Sequence, residues 1–142
     1  MRINFLSVKP SVNLRYQLFY ALPVYAYAAL IFYASSLPYY LPPDILLEYF
    51  STALQHVVEY AVLSLLIFRA LINSSSKQLR TNALLLAILI STFYGISDEI
   101  HQAFVPGRMS TVFDVLFDGI GSVSVVLVKI VYDRIFKSAA QI

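Results

Sequence analysis

The chain has 142 residues, of which 59% are hydrophobic and only 13% are charged, and its mean hydropathy is +0.73. Soluble domains usually carry about 25% charged residues, so this composition excludes an ordinary soluble protein and indicates an integral membrane protein. The absence of cysteine excludes disulfides and thiolate metal sites. The net charge of +2 is small, and the length leaves room for one domain, residues 1–142.

Four apolar runs are each close to the roughly 20 residues that a helix needs to cross a membrane. The predicted helices are about residues 16–37, 52–71, 82–104 and 112–131. The first run is longer than the 7–15 residue core of a signal peptide, so we interpret it as a retained helix. We therefore expect an all-α integral membrane fold, with four transmembrane helices in a compact bundle.

The connections between these runs also carry signals. After the first helix, which Pro38, Pro42 and Pro43 should end, residues 44–50 (DILLEYF) are predicted to lie along the interface as a short amphipathic turn. Residues 73–77 (NSSSK) are predicted to form a polar loop. Pro106 and Gly107 fit the central positions of a type II turn. Thr111 could then cap the fourth helix, with Asp114 completing a capping box.

The distribution of Lys and Arg predicts the orientation, because cytoplasmic segments are enriched in them. Nine of the 10 lie at the N-terminal end, around the second loop and at the C-terminal end: Arg2, Lys9, Arg15, Arg69, Lys77, Arg80, Lys129, Arg134 and Lys137. The remaining one, Arg108, lies in the third turn. We therefore expect cytoplasmic N- and C-termini.

This topology brings ionisable residues of three predicted helices to one level, about 3–10 Å below the outer surface. They are both histidines and five of the eight acids of the chain: His56, Glu59, Asp98, Glu99, His101, Asp114 and Asp118. An acid near the membrane centre costs about 2.5–3.5 kcal/mol. The acids outnumber the nearby cations, so they must be paired, protonated, hydrated or bound to a metal ion or a cationic ligand group.

Helical spacing predicts which of these residues share a face. On the third helix Ser91, Gly95, Asp98 and Gln102 form one stripe at steps of four, three and four. On the fourth helix small residues, Gly121 and Ser122, follow Asp118 where helices can approach closely. The polar stripes are therefore expected to face one another.

Two segments, "HVVEYAVLSLL" and "SDEIHQAFVPGRMSTVFDVLFDGIG", resemble the paired motifs of the VanZ-like membrane proteins. The resemblance covers about two thirds of the chain, from the second helix onward. It carries over to eight positions: His56, Glu59, Asp98, Glu99, Gln102, Pro106, Arg108 and Asp114. One departure is Asp118, where relatives often carry Asn. The resemblance implies a comparable fold and site, an envelope-related role and an association with glycopeptide (teicoplanin) resistance.

The candidate site is a polar pocket open to the outside, and it comprises His56, Glu59, Asp98, Glu99, Gln102, Arg108, Asp114 and Asp118. The first hypothesis is an enzyme acting on a lipid-linked substrate, in which a His beside a carboxylate is the general base and Arg108 holds a head group. Cofactors stay unassigned, although a divalent metal such as Zn or Mn could bind His56, Glu59, Asp98, His101 and Asp114.

Two other classes of function stay open. Buried acids and histidines often mark ion paths, which suggests a proton- or ion-coupled transporter. Alternatively, the protein could be a non-catalytic binding or structural protein, in which His56 and Glu59 bond each other and Asp98 or Glu99 pairs with Arg108. The expected partners are the lipid bilayer and an envelope or lipid-linked small molecule, with no nucleic acid. The oligomeric state stays open.

Overall fold

The computed structural model describes residues 13–38 and 45–139, and the side chains of residues 13–38 and 50–134. All regular structure in these ranges is helical, which confirms the all-α prediction. We number the helices α1 (Leu14–Ser35), α2 (Ile45–Ile72), α3 (Lys77–Thr81), α4 (Ala83–Gln102), α5 (Val112–Val123) and α6 (Val125–Ala139).

Four segments in the described part of the chain are long and apolar enough to cross a membrane. They are Leu14–Ser35, Phe50–Ile72, Ala83–Gln102 and Val112–Arg134, and each overlaps one predicted helix. Large apolar side chains such as Phe19, Leu54, Phe93 and Leu116 lie exposed on the outside of these helices. Such an apolar surface is suited to the hydrocarbon of a bilayer and not to water.

Helix α1 contains a π-helical turn, Gln17–Ala21, which ends two residues before Pro23. Proline has no N–H to donate to the carbonyl four residues earlier, which here is that of Phe19. The Arg69 guanidinium on α2 donates to the Phe19 carbonyl oxygen at 2.9 Å. A side chain from the neighbouring helix thus replaces a donor that the proline removes.

Two helix boundaries differ from the sequence predictions. Residues 45–50 continue α2 without a break, so the predicted interfacial turn is wrong for them, while Asp44, Pro42 and Pro43 lie outside the described residues. The predicted fourth helix is divided at Ser124 into α5 and α6. The Ser124 hydroxyl donates to the Gly121 carbonyl at 2.7 Å, a local bond of the kind that competes with the helical ladder.

The loops of the described chain largely follow the predictions. The polar loop ends at Ser76, which caps the short helix α3. Between α4 and α5, the Arg108 N–H donates to the Val105 carbonyl at 3.2 Å and Gly107 has φ 79°, as a turn with Gly in its third position requires.

Helix α2 occupies the centre of the bundle, packing most extensively against α5 and α4 and also contacting α1. Its buried face carries Tyr60, Leu63 and Ile67, which meet Ile31 of α1 and Ala87 of α4 in an apolar core. The four-helix bundle therefore buries one face of α2 from His56 to Ala70.

Small residues let α5 approach α2 closely, as the sequence predicts. A Cβ atom added to Gly121 would overlap the Val57 carbonyl oxygen and lie 3.1 Å from the Ala61 nitrogen. Hydroxyl groups join the helices at the same level: Ser64 donates to the Ser122 carbonyl at 2.9 Å, and Ser122 donates to Ser91 Oγ at 2.9 Å. This close contact fixes the height of α5 against α2 and α4.

Candidate functional site

Three helices converge where the sequence places five of the eight acids. The side chains involved belong to α2, α4 and α5, and each residue keeps no more than 7% of its surface exposed: His56, Asp98, Glu99, Gln102, Asp114 and Asp118. The stripe predicted on α4, from Ser91 to Gln102, is buried along its whole length. The expected meeting of polar helix faces is therefore confirmed.

The centre of this region is a hydrogen bond between α2 and α5. His56 Nδ1 lies 2.8 Å from Asp118 Oδ1, and Asp118 is fully buried. In a neutral imidazole, the nitrogen that faces a carboxylate carries the proton, which leaves Nε2 as the basic nitrogen. The pair is therefore arranged as a general base whose orientation is fixed by a carboxylate.

Glu99 of α4 completes what we call the histidine–carboxylate cluster, defined as His56, Glu99 and Asp118. Glu99 Oε1 lies 3.9 Å from His56 Nδ1, beyond hydrogen-bond distance. Neither carboxylate oxygen of Glu99, nor Oδ2 of Asp118, has a hydrogen-bond partner among the described residues. One ligand atom from each of the three residues can be chosen so that all lie within 4.8 Å of one another, as in a metal site.

Gly95 makes room for this cluster on α4. A Cβ atom at Gly95 would lie 2.6 Å from Asp118 Oδ2 and 2.9 Å from Asp118 Cβ. Both distances are shorter than van der Waals contact allows, so the buried carboxylate can lie against α4 only because position 95 has no side chain.

Asp98 lies in a separate, fully bonded arrangement. Its Oδ1 accepts from Ser35 Oγ of α1 at 2.7 Å, and its Oδ2 accepts from Gln102 Nε2 at 2.8 Å. The bond from Ser35 ties α1 to α4, and the bond from Gln102, within α4, satisfies the second oxygen.

A family model described as VanZ/LLP1 matches residues 5–132 of the chain. The chain belongs to the VanZ/LLP1 family. The match covers about nine-tenths of the 142 residues and includes all the residues where α2, α4 and α5 meet. No curated protein and no solved structure gives a significant match. The family resemblance is therefore confirmed, and the chain is a multi-pass membrane protein of the VanZ/LLP1 family.

Asp114 has a clear local role in the VanZ-family fold. Its Oδ2 accepts from the Thr111 backbone N–H at 3.0 Å and from Thr111 Oγ1 at 2.7 Å, and Thr111 in turn caps the Asp114 N–H. The predicted capping box is confirmed. Asp114 is buried, and its Oδ2 already accepts hydrogen bonds that cap the N-terminus of α5.

Arg108 closes the end of α1. Its guanidinium donates to the Ala34 carbonyl at 2.7 Å and to the Leu37 carbonyl at 3.3 Å. The last carbonyls of a helix lack intrahelical donors and favour a nearby positive charge. The side chain is half-buried and places a fixed cation at the end of α1.

The remaining candidates, Glu59 and His101, lie apart from the cluster. Glu59 accepts from Gln55 Nε2 at 2.9 Å on the more exposed side of α2. His101 Nε2 lies 3.0 Å from Ser36 Oγ, and its ring contacts Phe32 with centroids 4.5 Å apart. The structure thus groups His56 with Glu99 and Asp118, not with Glu59.

Two residues of the polar region were not among the predicted site residues. Ser35 is buried and donates to Asp98; the consecutive serines at the end of an otherwise apolar α1 were the available signal. The Tyr60 hydroxyl is buried without a hydrogen-bond partner among the described residues. Tyr60 lies one turn beyond His56, so the four-residue spacing was its signal.

Proposed function

We propose that this VanZ-family protein binds an amphiphilic, lipid-linked ligand of the cell envelope through the polar region between α2, α4 and α5. The observation that carries the proposal is the set of acceptor oxygens on Glu99 and Asp118 that have no hydrogen-bond donor in the part of the chain that the structure describes. Buried polar groups that lack partners cost about 1–3 kcal/mol each. A ligand that donates hydrogen bonds to these oxygens would remove that cost.

The proposed site comprises the histidine–carboxylate cluster together with Asp98, Gln102, Asp114 and Arg108, whereas Glu59 lies apart from it on the more exposed side of α2. Acidic side chains favour a head group that offers donors, such as hydroxyl, amide or ammonium groups. Arg108 favours an anionic part of the same head group, because its guanidinium pairs with phosphate or carboxylate. A lipid whose head group carries both hydrogen-bond donors and an anionic group therefore fits the acidic side chains and Arg108 together.

The proposed orientation places this region in the outer half of the membrane, with both termini cytoplasmic. Four crossings bring the two ends of a chain to the same side. The Lys and Arg residues cluster around the loop between α2 and α4 and at the two ends of the chain, which favours the cytoplasm for those segments. The turn between α4 and α5, which carries Arg108, then lies outside.

A binding experiment tests the proposal directly. The full chain is placed in nanodiscs that contain lipid II, whose head group carries sugar hydroxyls, amides, ammonium groups and a pyrophosphate, and bound lipid is counted by native mass spectrometry. We expect wild type and the control Asp133→Asn to retain lipid II, and Glu99→Gln to retain at least tenfold less. Asp133 lies on α6, paired with Lys129, away from the site.

Two results would contradict the proposal. One is equal retention of lipid II by Glu99→Gln and Asp133→Asn. The other is equal binding of phosphatidylglycerol and lipid II by wild type, since the proposal assigns recognition to the donors of the head group.

The glycopeptide association implied by the family resemblance has its own test. The chain is expressed in a teicoplanin-susceptible Gram-positive host, and the minimal inhibitory concentration of teicoplanin is measured. We expect wild type and Asp133→Asn to raise it and Glu99→Gln to leave it at the host value. No change with wild type present in the membrane would remove this part of the proposal.

The His56–Asp118 hydrogen bond favours a second candidate, in which the bound ligand is also a substrate for general-base catalysis. Asp118→Asn keeps the shape of the carboxylate but can no longer stabilise an imidazolium. It should therefore lower the rate of product formation from lipid II far more than lipid II binding. If wild type releases no product, the protein binds its ligand without turnover.

A further inference from the structure

We infer that the histidine–carboxylate cluster binds one divalent transition-metal ion, with His56 Nδ1, one Glu99 oxygen and one Asp118 oxygen as its protein ligands. The site does not require the lipid-linked ligand proposed above, although it uses the same Glu99 and Asp118 oxygens. Metal binding replaces the His56–Asp118 hydrogen bond, because His56 must then carry its proton on Nε2 and not on Nδ1. It also differs from the set expected from the sequence, with which it shares only His56.

The first support is the burial and direction of Glu99. Its residue surface is 4% exposed, and both carboxylate oxygens lack hydrogen-bond donors among the described residues. Oε1 nevertheless points toward the cluster, 3.9 Å from His56 Nδ1. A carboxylate that served only the fold would be expected to use its oxygens on neighbouring donors, as Asp98 does with Ser35 and Gln102.

The second support is geometric. Ligand atoms about 2.0–2.2 Å from a tetrahedral Zn²⁺ ion lie about 3.4 Å apart. In the structure, Nδ1 lies 2.8 Å from Asp118 Oδ1 and 3.9 Å from Glu99 Oε1. One separation must lengthen and the other shorten by about 0.5 Å, which small side-chain rotations supply. For one choice of ligand atom from each residue, all three separations lie within 4.8 Å, so the cluster is close to a metal-binding arrangement.

The third support is charge. Two carboxylates and a neutral imidazole bring a formal charge of −2 into a buried region, and a divalent cation balances it. Electrostatic attraction is strong there because the surroundings have a low dielectric constant. One nitrogen and two oxygen donors suit Zn²⁺ or Mn²⁺ better than the all-oxygen preference of Ca²⁺ and Mg²⁺. Of these, Zn²⁺ with three protein ligands keeps a fourth position open.

Metal binding by the full chain tests this inference. Detergent-purified protein is stripped with a chelator and equilibrated with buffered Zn²⁺ or Mn²⁺, and bound metal is measured by inductively coupled plasma mass spectrometry. We expect one equivalent of metal in wild type and in Asp133→Asn. Glu99→Gln and Asp118→Asn, which keep side-chain size but remove a ligand charge, should bind at least tenfold more weakly.

Co²⁺ substitution adds a measurement that needs no variant. A tetrahedral site with nitrogen and oxygen ligands gives visible d–d absorption, and paramagnetic shifts should affect His56 and spare His101. Far less than one equivalent of every metal tested, or equal binding by Glu99→Gln and Asp133→Asn, would overturn the inference and leave a shared proton to neutralise the cluster. Lipid II binding measured in the presence of chelator separates this failure from a failure of the proposed function.

Discussion

Substituting Gly95 by Ala should disturb the candidate site, because the added methyl group would overlap Asp118. The added Cβ would lie 2.6 Å from Asp118 Oδ2 and 2.9 Å from Asp118 Cβ. Rotating the carboxylate relieves the first contact but not the second, because Cβ is fixed to the backbone of α5. The Asp118 carboxylate must therefore turn away, and α4 must also move slightly from α5. The rotation of the carboxylate should break the 2.8 Å bond to His56.

The magnitude follows from a comparison with Gly119, whose added Cβ would meet nothing within 4 Å. Both substitutions gain the helix-propensity advantage of alanine over glycine, about 0.5–1 kcal/mol. Only Gly95→Ala creates an overpacked contact, which costs about 1–3 kcal/mol. The free energy of unfolding should therefore be about 1–3 kcal/mol lower in Gly95→Ala than in Gly119→Ala.

Two measurements check this prediction. Unfolding in mixed detergent and sodium dodecyl sulfate micelles, followed by circular dichroism, gives the stability difference. Nuclear magnetic resonance of the two imidazole rings, in metal-free protein, reports the Nδ1 proton of His56, which should lose its strongly hydrogen-bonded shift in Gly95→Ala. Equal stability of the two variants together with an unchanged His56 resonance would refute the described packing of Asp118 against α4.

Three further substitutions test the packing around the site. Gly121→Ala should cost more than Gly95→Ala in the same unfolding assay, because its Cβ meets the Val57 carbonyl, a backbone group that no side-chain rotation can move. Ser35→Ala should lower the free energy of unfolding by about 1–3 kcal/mol by leaving Asp98 short of a buried donor, and an Asp98→Asn background should reduce that loss. Thr111→Val should lower the free energy of unfolding by about 1 kcal/mol, because it removes the N-cap of α5. An unchanged free energy of unfolding would show that α5 does not start at Thr111.

Much of the local structure could be predicted because it depends on residues close in sequence. The stripe containing Gly95 and Asp98 followed from helical spacing, and the Thr111 capping box followed from a short pattern. The turn at Gly107 needed only its two central residues. Composition and run length were sufficient to predict four membrane helices, because the thickness of the bilayer sets both.

The partner of His56 could not be predicted in this way. Glu59 is three residues away on α2, but at 100° per residue it lies about 60° around the helix and bonds to Gln55 instead. The partner in the structure, Asp118, is 62 residues away. Spacing within one helix fixes which residues share a face, whereas the rotation of each helix about its axis depends on packing such as that at Gly121.

The extension of α2 to Ile45 has a similar explanation. The proline-rich segment before it suggested that residues 44–50 lie apart from the helix, but residues 45–50 contain no proline or glycine and can continue α2. In α1, the effect of Pro23 on the helix could not be predicted from the sequence, since it depends on the donation from Arg69 to the Phe19 carbonyl.

The most direct test of the central claim is the free energy of unfolding of Glu99→Gln relative to wild type and Asp133→Asn, measured in chelator-treated protein without lipid II. If Glu99 serves a bound ligand, its buried carboxylate contributes nothing favourable to the empty fold. Glu99→Gln should then be at least as stable as wild type. A loss of about 3–5 kcal/mol, as expected when one partner of a buried ion pair is removed, would show that Glu99 serves the fold and would contradict the proposed site.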